Sequence, residues 1–250
     1  PPFGLAIRLA RGTLIAWGVA LAATGLLLGG IAKAGGEAMS GSASISTGLA
    51  RLGTPGGGTS AYLGICLLMM AILVVLVGAG QITATRREEA DGHTETLLVR
   101  PVSRWAWFAG RIGLAALALM AAGVVAGLTI WIGTAADHAG VGLVHLLSAG
   151  INTVAPALCL LGIGALAFGV KPRATAAVVY AVFGWSLLID LVAVSGAESH
   201  WLLDTSLFHQ MAAAPAVAPD WAVNGVLLVI AGATALIGAT SFARRDLQGA

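Results

Sequence analysis

Residues 83–105 read TATRREEADGHTETLLVRPVSRW, the one long polar island between apolar runs. It holds Arg86, Arg87, Arg100 and Arg104, four of the 13 Lys and Arg residues. It also holds Glu88, Glu89, Asp91 and Glu95, four of the 11 acids. What flanks it is mostly Ala, Gly, Leu, Val and Ile. The contrast gives a first division: apolar runs that suit membrane helices, and a polar element outside the membrane.

Composition supports the division. The 250 residues are 58% hydrophobic and only 10% charged, against about 25% charged in an ordinary soluble domain. Mean hydropathy is +0.93. One soluble core cannot hide so much apolar surface, whereas lipid as solvent lets every face of a helix be apolar. The net charge of +2 comes from basic residues paired beside apolar runs. No basic stripe interleaved with aromatics exists, so a nucleic-acid surface is excluded. Cys66 and Cys159 lie inside apolar runs and read as small buried side chains, with neither a disulfide framework nor metal spacing.

A hydrocarbon core about 30 Å thick needs about 20 apolar residues in a helix. Six runs meet this: 14–31, 62–82, 105–133, 143–170, 174–194 and 223–242. The fold class expected is therefore an all-α polytopic membrane protein with six transmembrane helices. Segment 1–12 carries FGLAIRLARG, with Arg8 and Arg11 three apart. It suits a short amphipathic helix at the membrane surface, or a basic flank that only fixes topology. Placing the N-terminus inside collects 11 of the 13 basic residues in the inner segments and leaves Lys33 and Arg51 outside. That asymmetry predicts an N-in, C-in chain. Trp105, Trp107, Trp131, Trp201 and Trp221 fall near the predicted interfaces, as an aromatic belt requires.

Some segments carry further signals. The outer loop 32–61 is rich in Gly and Ser; its GTPGGGTS lacks the Gly-Lys-Ser/Thr ending of a phosphate cradle and reads as flexible. Segment 195–222 places Trp201, Leu202, Leu203, Leu207, Phe208 and Met211 at near-helical spacing ahead of Pro215 and Pro219, which predicts a half-buried or re-entrant helical hairpin. Gly25 and Gly29 form a GxxxG in a chain with 35 glycines, where packing without specificity is the simpler reading. Pro156 should kink the fourth run. Asp190 is the acid clearly within a run, where a charge at the bilayer centre costs about 2.5–3.5 kcal/mol on insertion scales. Either it reaches water near the outer end of its helix, or it makes a polar contact in a pathway or between helices.

Within the island, Thr85-Arg-Arg-Glu88 matches a capping box and predicts a helical turn at 86–90. Gly92 interrupts it. A second short helix fits 93–99, with Asp91 as its cap and Pro101 as its stop. Its apolar side is Leu97, Leu98 and Val99; its polar side is Asp91, Thr94 and Glu95. That is the form of a small plug for a groove on another protein. Topology alone would need the arginines, not four acids and a Leu-Leu-Val face. Catalysis finds no support. Glu88, Glu89 and Glu95 stand beside arginines that keep them ionised. The five histidines lack companion ligands for a metal, even His138 and His145 at seven-residue spacing. Ser186 has no nucleophile-elbow context and no base.

The same residues resemble a known family. Glu88, Glu89, Gly92, Glu95, Leu97, Leu98 and the Pro101-Val-Ser-Arg104 run resemble the first cytoplasmic loop of ABC-2-type exporter permeases, in the branch of polyketide-antibiotic and multidrug exporters. DTSLFHQM at 204–211 and SFARRDL at 241–247 are similar to that branch's later segments. Leu207 departs from the proline expected there. The resemblance implies a six-span permease domain with a connecting helix at 1–12, a coupling loop at 83–104 and an outer re-entrant element at 195–222. It implies that Glu88, Glu89, Asp91, Gly92, Glu95, Leu97, Leu98 and Arg100 contact a separate ABC ATPase subunit, which would bind the ATP and Mg. This chain has no Walker motif and no cofactor of its own is expected. A second permease half or copy is implied as partner, and the FGLAIRLARG start and RRDL end suggest the C-terminal half of a longer permease. The expected cargo is lipophilic or amphipathic, moved out of a bacterial cell across its plasma membrane. The rival readings are an ion-coupled secondary transporter working through Asp190 and an intramembrane enzyme.

Overall fold

The computed structural model describes residues 2–41, 58–90, 104–194 and 200–244. Among them every regular element is helical. In chain order these are α1 (Pro2–Gly30), α2 (Ala32–Ser40), α3 (Thr59–Ala90), α4 (Arg104–Ala136), α5 (Leu143–Asn152), α6 (Val154–Val170), a 3-10 turn (Pro172–Ala174), α7 (Thr175–Val194), α8 (His200–Leu203) and α9 (Trp221–Arg244). Six segments are long and apolar enough to cross a membrane: one each in α1, α3, α4, α7 and α9, and one formed jointly by α5 and α6. The fold is an all-α polytopic bundle.

The spans differ in how much protein surrounds them. α3 and the α5–α6 pair form the centre, with Leu63, Leu67, Met70, Leu160 and Phe168 fully buried. α1, α7 and α9 lie outside. Leu27, Leu191 and Val229 on these three helices stay about 70% exposed (71%, 70% and 72%). Exposed apolar surface on this scale would be a liability in water; in lipid it is the solvent-facing side. Trp105 is exposed at one end of the bundle, and Trp201 and Trp221 at the other, which suits two interfacial belts.

Helices in lipid gain no hydrophobic free energy by meeting, so close approach must come from small residues. Three crossings show it. On α6 and α9, a side chain at Gly162 would collide with Ala231, and one at Gly169 with Gly238. One at Gly238 would strike the Ala165 carbonyl. Between α1 and α4, Gly25 faces Thr129, Gly29 faces the Ile130 carbonyl, and Gly133 faces Leu26 and Gly30. Between α4 and α5, Gly123 and Gly127 lie against Gly150 and Leu146. The Gly25–Gly29 pair is thus a contact surface, not generic small-residue content.

Several boundaries differ from the sequence expectation. α1 runs unbroken from Pro2 to Gly30, so segment 1–12 is continuous with the first span. Part of the loop 32–61 is ordered: α2 lies against the start of α3, with Gly36 beside Thr59 and Gly35 beside Tyr62. The Tyr62 hydroxyl donates to the Leu28 carbonyl (3.1 Å), satisfying a C-terminal acceptor of α1. The fourth run breaks at Thr153, three residues ahead of Pro156. Pro156 has no N–H to offer the Asn152 carbonyl four residues back, so the helix parts there. The Thr153 hydroxyl donates instead to the Gly150 carbonyl (2.7 Å).

The α6–α9 crossing yields a test. Gly238→Leu should overpack it at a cost of about 1–3 kcal/mol or more, read as a clear drop in the melting temperature of the detergent-solubilised protein. Gly232, on the same helix, has nothing within 4 Å of where a side chain would begin. Gly232→Ala should leave the melting temperature unchanged or raise it, by the roughly 0.5–1 kcal/mol that Ala gains over Gly inside a helix.

Candidate functional site

The two ends of the bundle are chemically unlike. One end gathers the start of α4 and the ends of α3, α6 and α9. It carries Arg86, Arg104, Arg111, Lys171, Arg173 and Arg244, and it is closed by aromatic packing. Phe108, Phe168 and Phe242 form a triangle with ring centroids 5.2, 5.3 and 5.5 Å apart, and Trp107 adds to Phe242 at 5.9 Å. Rings at these separations contribute beyond their area burial. The knot ties α4, α6 and α9 together where α4 emerges from the polar island.

Of the island itself, Glu88 and Glu89 fall on the last turn of α3. Asp91, Gly92, Glu95, Leu97, Leu98 and Arg100 lie outside the described residues. One expectation is corrected. Thr85 does not cap a new turn: α3 continues through it to Ala90. Its buried hydroxyl donates back to the Gln81 carbonyl at 2.9 Å. A Thr inside a helix that already has its ladder bonds this way, to the carbonyl four residues earlier. The capping-box pattern needs a chain break before it, and here the second span supplies uninterrupted helix.

The opposite end is polar inside. Asn152, at the end of α5, is 1% exposed. Its side-chain amide donates to the Ala212 carbonyl (2.8 Å) and its oxygen accepts from the Asn224 amide of α9 (2.8 Å). These two asparagines fasten the fourth span, the sixth span and the connection 204–220. Their sequence signal was an amide inside each of two apolar runs, passed over because amides carry no charge. Asp220 accepts from the Ala222 and Val223 amides (2.9 and 3.1 Å), an N-cap for α9. Asp137, just past the end of α4, accepts from the Lys33 amide at 2.6 Å and so satisfies a first-turn N–H of α2.

Asp190 belongs to this end. It lies on α7, where Ser206 Oγ stands 3.2 Å from its Oδ1 and 3.2 Å from the Ser186 carbonyl. Ser186 Oγ in turn accepts from the Leu207 amide (3.2 Å). Trp185 Nε1 donates to Thr205 (3.1 Å), and Phe208 packs edge-on to Phe183. The chain after α8 is therefore drawn back onto α7 and buried at Ser206, Phe208, Met211 and Ala214. Between it, α3 and Asp190 lies a cavity of about 240 Å³, walled by Ile65, Leu68, Phe208 and Met211, with His209 and Val217 exposed at its rim.

Six spans, a basic end and a polar, cavity-bearing end define a multi-pass membrane protein. Comparison with known families places it further: residues 1–243 match the model described as multidrug efflux system permease Rv1217c, C-terminal domain, and the chain belongs to this family. It is 31% identical over 258 aligned positions to the multidrug efflux system permease protein Rv1217c of Mycobacterium tuberculosis (strain ATCC 25618 / H37Rv). The match covers 99% of this chain and 45% of that relative, so the chain spans about half the relative's length. Family and helices together make it a multi-pass protein of the plasma membrane.

The asparagine pair gives the next test. Asn152→Leu leaves the Ala212 carbonyl and the Asn224 amide buried without partners, at about 1–3 kcal/mol for each group. A double-mutant cycle on thermal unfolding should show Asn152→Leu with Asn224→Leu costing less than the sum of the two single changes. Strict additivity would mean that the pair does not interact.

Proposed function

We propose that this chain is a permease domain of an ATP-driven exporter that moves lipophilic or amphipathic compounds, drugs and antibiotics among them, out of a bacterial cell. The observation that carries the reading is its membership, over nearly its whole length, in a family of multidrug efflux permease domains. The island supports the ABC-2-type assignment. α3 continues past its apolar stretch, and Glu88 and Glu89 fall on its last turn. On this reading the basic end is cytosolic, by the same charge asymmetry that orients other membrane proteins.

ATP and Mg belong to a separate ATPase subunit. Glu88, Glu89, Asp91, Gly92, Glu95, Leu97, Leu98 and Arg100 form the face that meets it. A second permease domain, in the same longer chain or as another copy, completes the path. Closure of the ATPase shifts the permease only by the difference in contact free energy between its two states. The loop must therefore grip the ATPase differently when the path faces in and when it faces out. The chain itself is a transport element, not an enzyme. The half assigned is the C-terminal one, as the description of the matching family also reads.

The triple substitution Glu88→Ala, Glu89→Ala, Glu95→Ala should abolish drug-stimulated ATP hydrolysis and drug efflux in the assembled exporter. The permease should keep its melting temperature, since these acids stand outside the apolar runs of the sequence. Undiminished drug-stimulated hydrolysis in that variant would overturn the role given to the loop. Transport by the permease alone, driven by a pH gradient, would favour the reading in which Asp190 carries protons.

A further inference from the structure

The cavity beside Asp190 has a composition that selects a ligand. Its walls are largely apolar or aromatic; the ionisable side chains in its lining are Asp190 and, at the exposed rim, His209, with no Lys or Arg. Among the described residues the carboxylate is held from one side by Ser206 (3.2 Å), which leaves lone pairs for an occupant. Among the described residues Asp190 is the one acid within a span. A carboxylate in a largely apolar surround is costly unless paired, and with no Lys or Arg in the lining an incoming cation would supply that partner. Phe208 adds an aromatic wall of the kind that attracts cations. The volume, about 240 Å³, lies below the roughly 300–1,000 Å³ of sites that enclose a drug-sized molecule. It holds a compact head group, with the remainder passing the exposed rim at His209 and Val217.

We propose that this cavity binds the alkylammonium head of an amphipathic cation, with Asp190 as counter-charge and Phe208 and Met211 as its apolar cradle. The inference deepens the export reading, on which it rests for why such a cation would be there; the site itself needs no ATPase. Two sources share the chemistry: a soluble cationic amphiphile, and the choline head of a membrane lipid. The lipid also brings a phosphate, for which the lining offers no Lys or Arg.

The test uses the purified chain in phosphatidylglycerol nanodiscs, without nucleotide. The probe is dodecyltrimethylammonium, read by calorimetry, with an uncharged C12 analogue as control. Saturable binding of the cation is expected. Asp190→Asn, which keeps an acceptor for Ser206, should weaken it by about tenfold or more, the loss of an opposite charge at contact distance. Binding of the neutral analogue should not change, Asp190→Glu should restore part of the affinity, and Phe208→Ala should weaken it independently. Melting temperatures confirm that each variant is folded. Equal cation binding by wild type and Asp190→Asn, or no saturable binding by wild type, overturns the site. Adding glycerophosphocholine, a soluble copy of the lipid head, to the titration in the same phosphatidylglycerol nanodiscs separates the sources at constant surface charge: a reduced apparent affinity identifies the lipid head as a ligand, and an unchanged one identifies the soluble amphiphile. A drug-stimulated ATPase assay of the wild-type chain in the assembled exporter keeps the two readings apart. Stimulation there alongside cation binding that Asp190→Asn loses upholds both; normal cation binding by a chain that stimulates no ATPase upholds the site and removes the export reading.

Discussion

Close backbone approach between α6 and α9 is the constraint on which the rest depends. Lipid tails are as apolar as leucine, so burying leucine between helices gains little against leaving it outward. What helices gain is dispersion, and that gain needs atoms at contact distance. Gly162, Ala165 and Gly169 on one helix and Ala231 and Gly238 on the other remove the side chains that would hold the axes apart. The same device recurs where α1 meets α4 and where α4 meets α5. Large residues are then free to face lipid, which is why Leu27 and Val229 are outside while glycines are in.

With axes this close, the two ends can be finished by different chemistry. At the basic end the fit is apolar: three phenylalanines fix α4, α6 and α9 relative to one another. At the opposite end it is polar: Asn152, Asn224 and the Ala212 carbonyl satisfy each other in a space where an unpaired group has no water to turn to. On the proposed reading, motion delivered at the island first meets the aromatic knot. Packed rings have no directional bonds to break, so the knot passes displacement to three spans at once. The asparagine pair is directional and pins the far ends.

The spans were legible because lipid imposes a length, and six apolar runs matched it within a few residues. The fastening was less legible. Gly25 and Gly29 looked like composition, because one helix's glycines acquire meaning only against the helix they face. Asn152 and Asn224 lie 72 positions apart, and no local rule joins them. Thr85 misled for the opposite reason. The four-residue capping pattern was real, but whether a helix has already begun is decided by the twenty-odd apolar residues before it. Asp190 was visible as a charge out of place. That Ser206 would be brought to it, with a cavity on its other side, depended on the return of the chain after α8, which near-helical spacing of apolar residues only outlined. Most of the island contacts fall outside the described residues, so the sequence pattern and the resemblance remain their basis.

The comparison between Asn152 and Asp190 sharpens what an ionisable group is for in this bundle. If the far end needed only adhesion, an amide would serve. Asn152 both donates and accepts, is satisfied by two neighbours, and carries no charge to desolvate. A carboxylate within a span carries a desolvation penalty that one serine hydroxyl does not offset. Asp190 holds the serine that orders residues 206–209, yet that serine also reaches the Ser186 carbonyl and accepts from the Phe208 and His209 amides. The turn has backbone partners enough without an acid. The charge is therefore in excess of what packing requires, and it lines the cavity beside Phe208 and Met211.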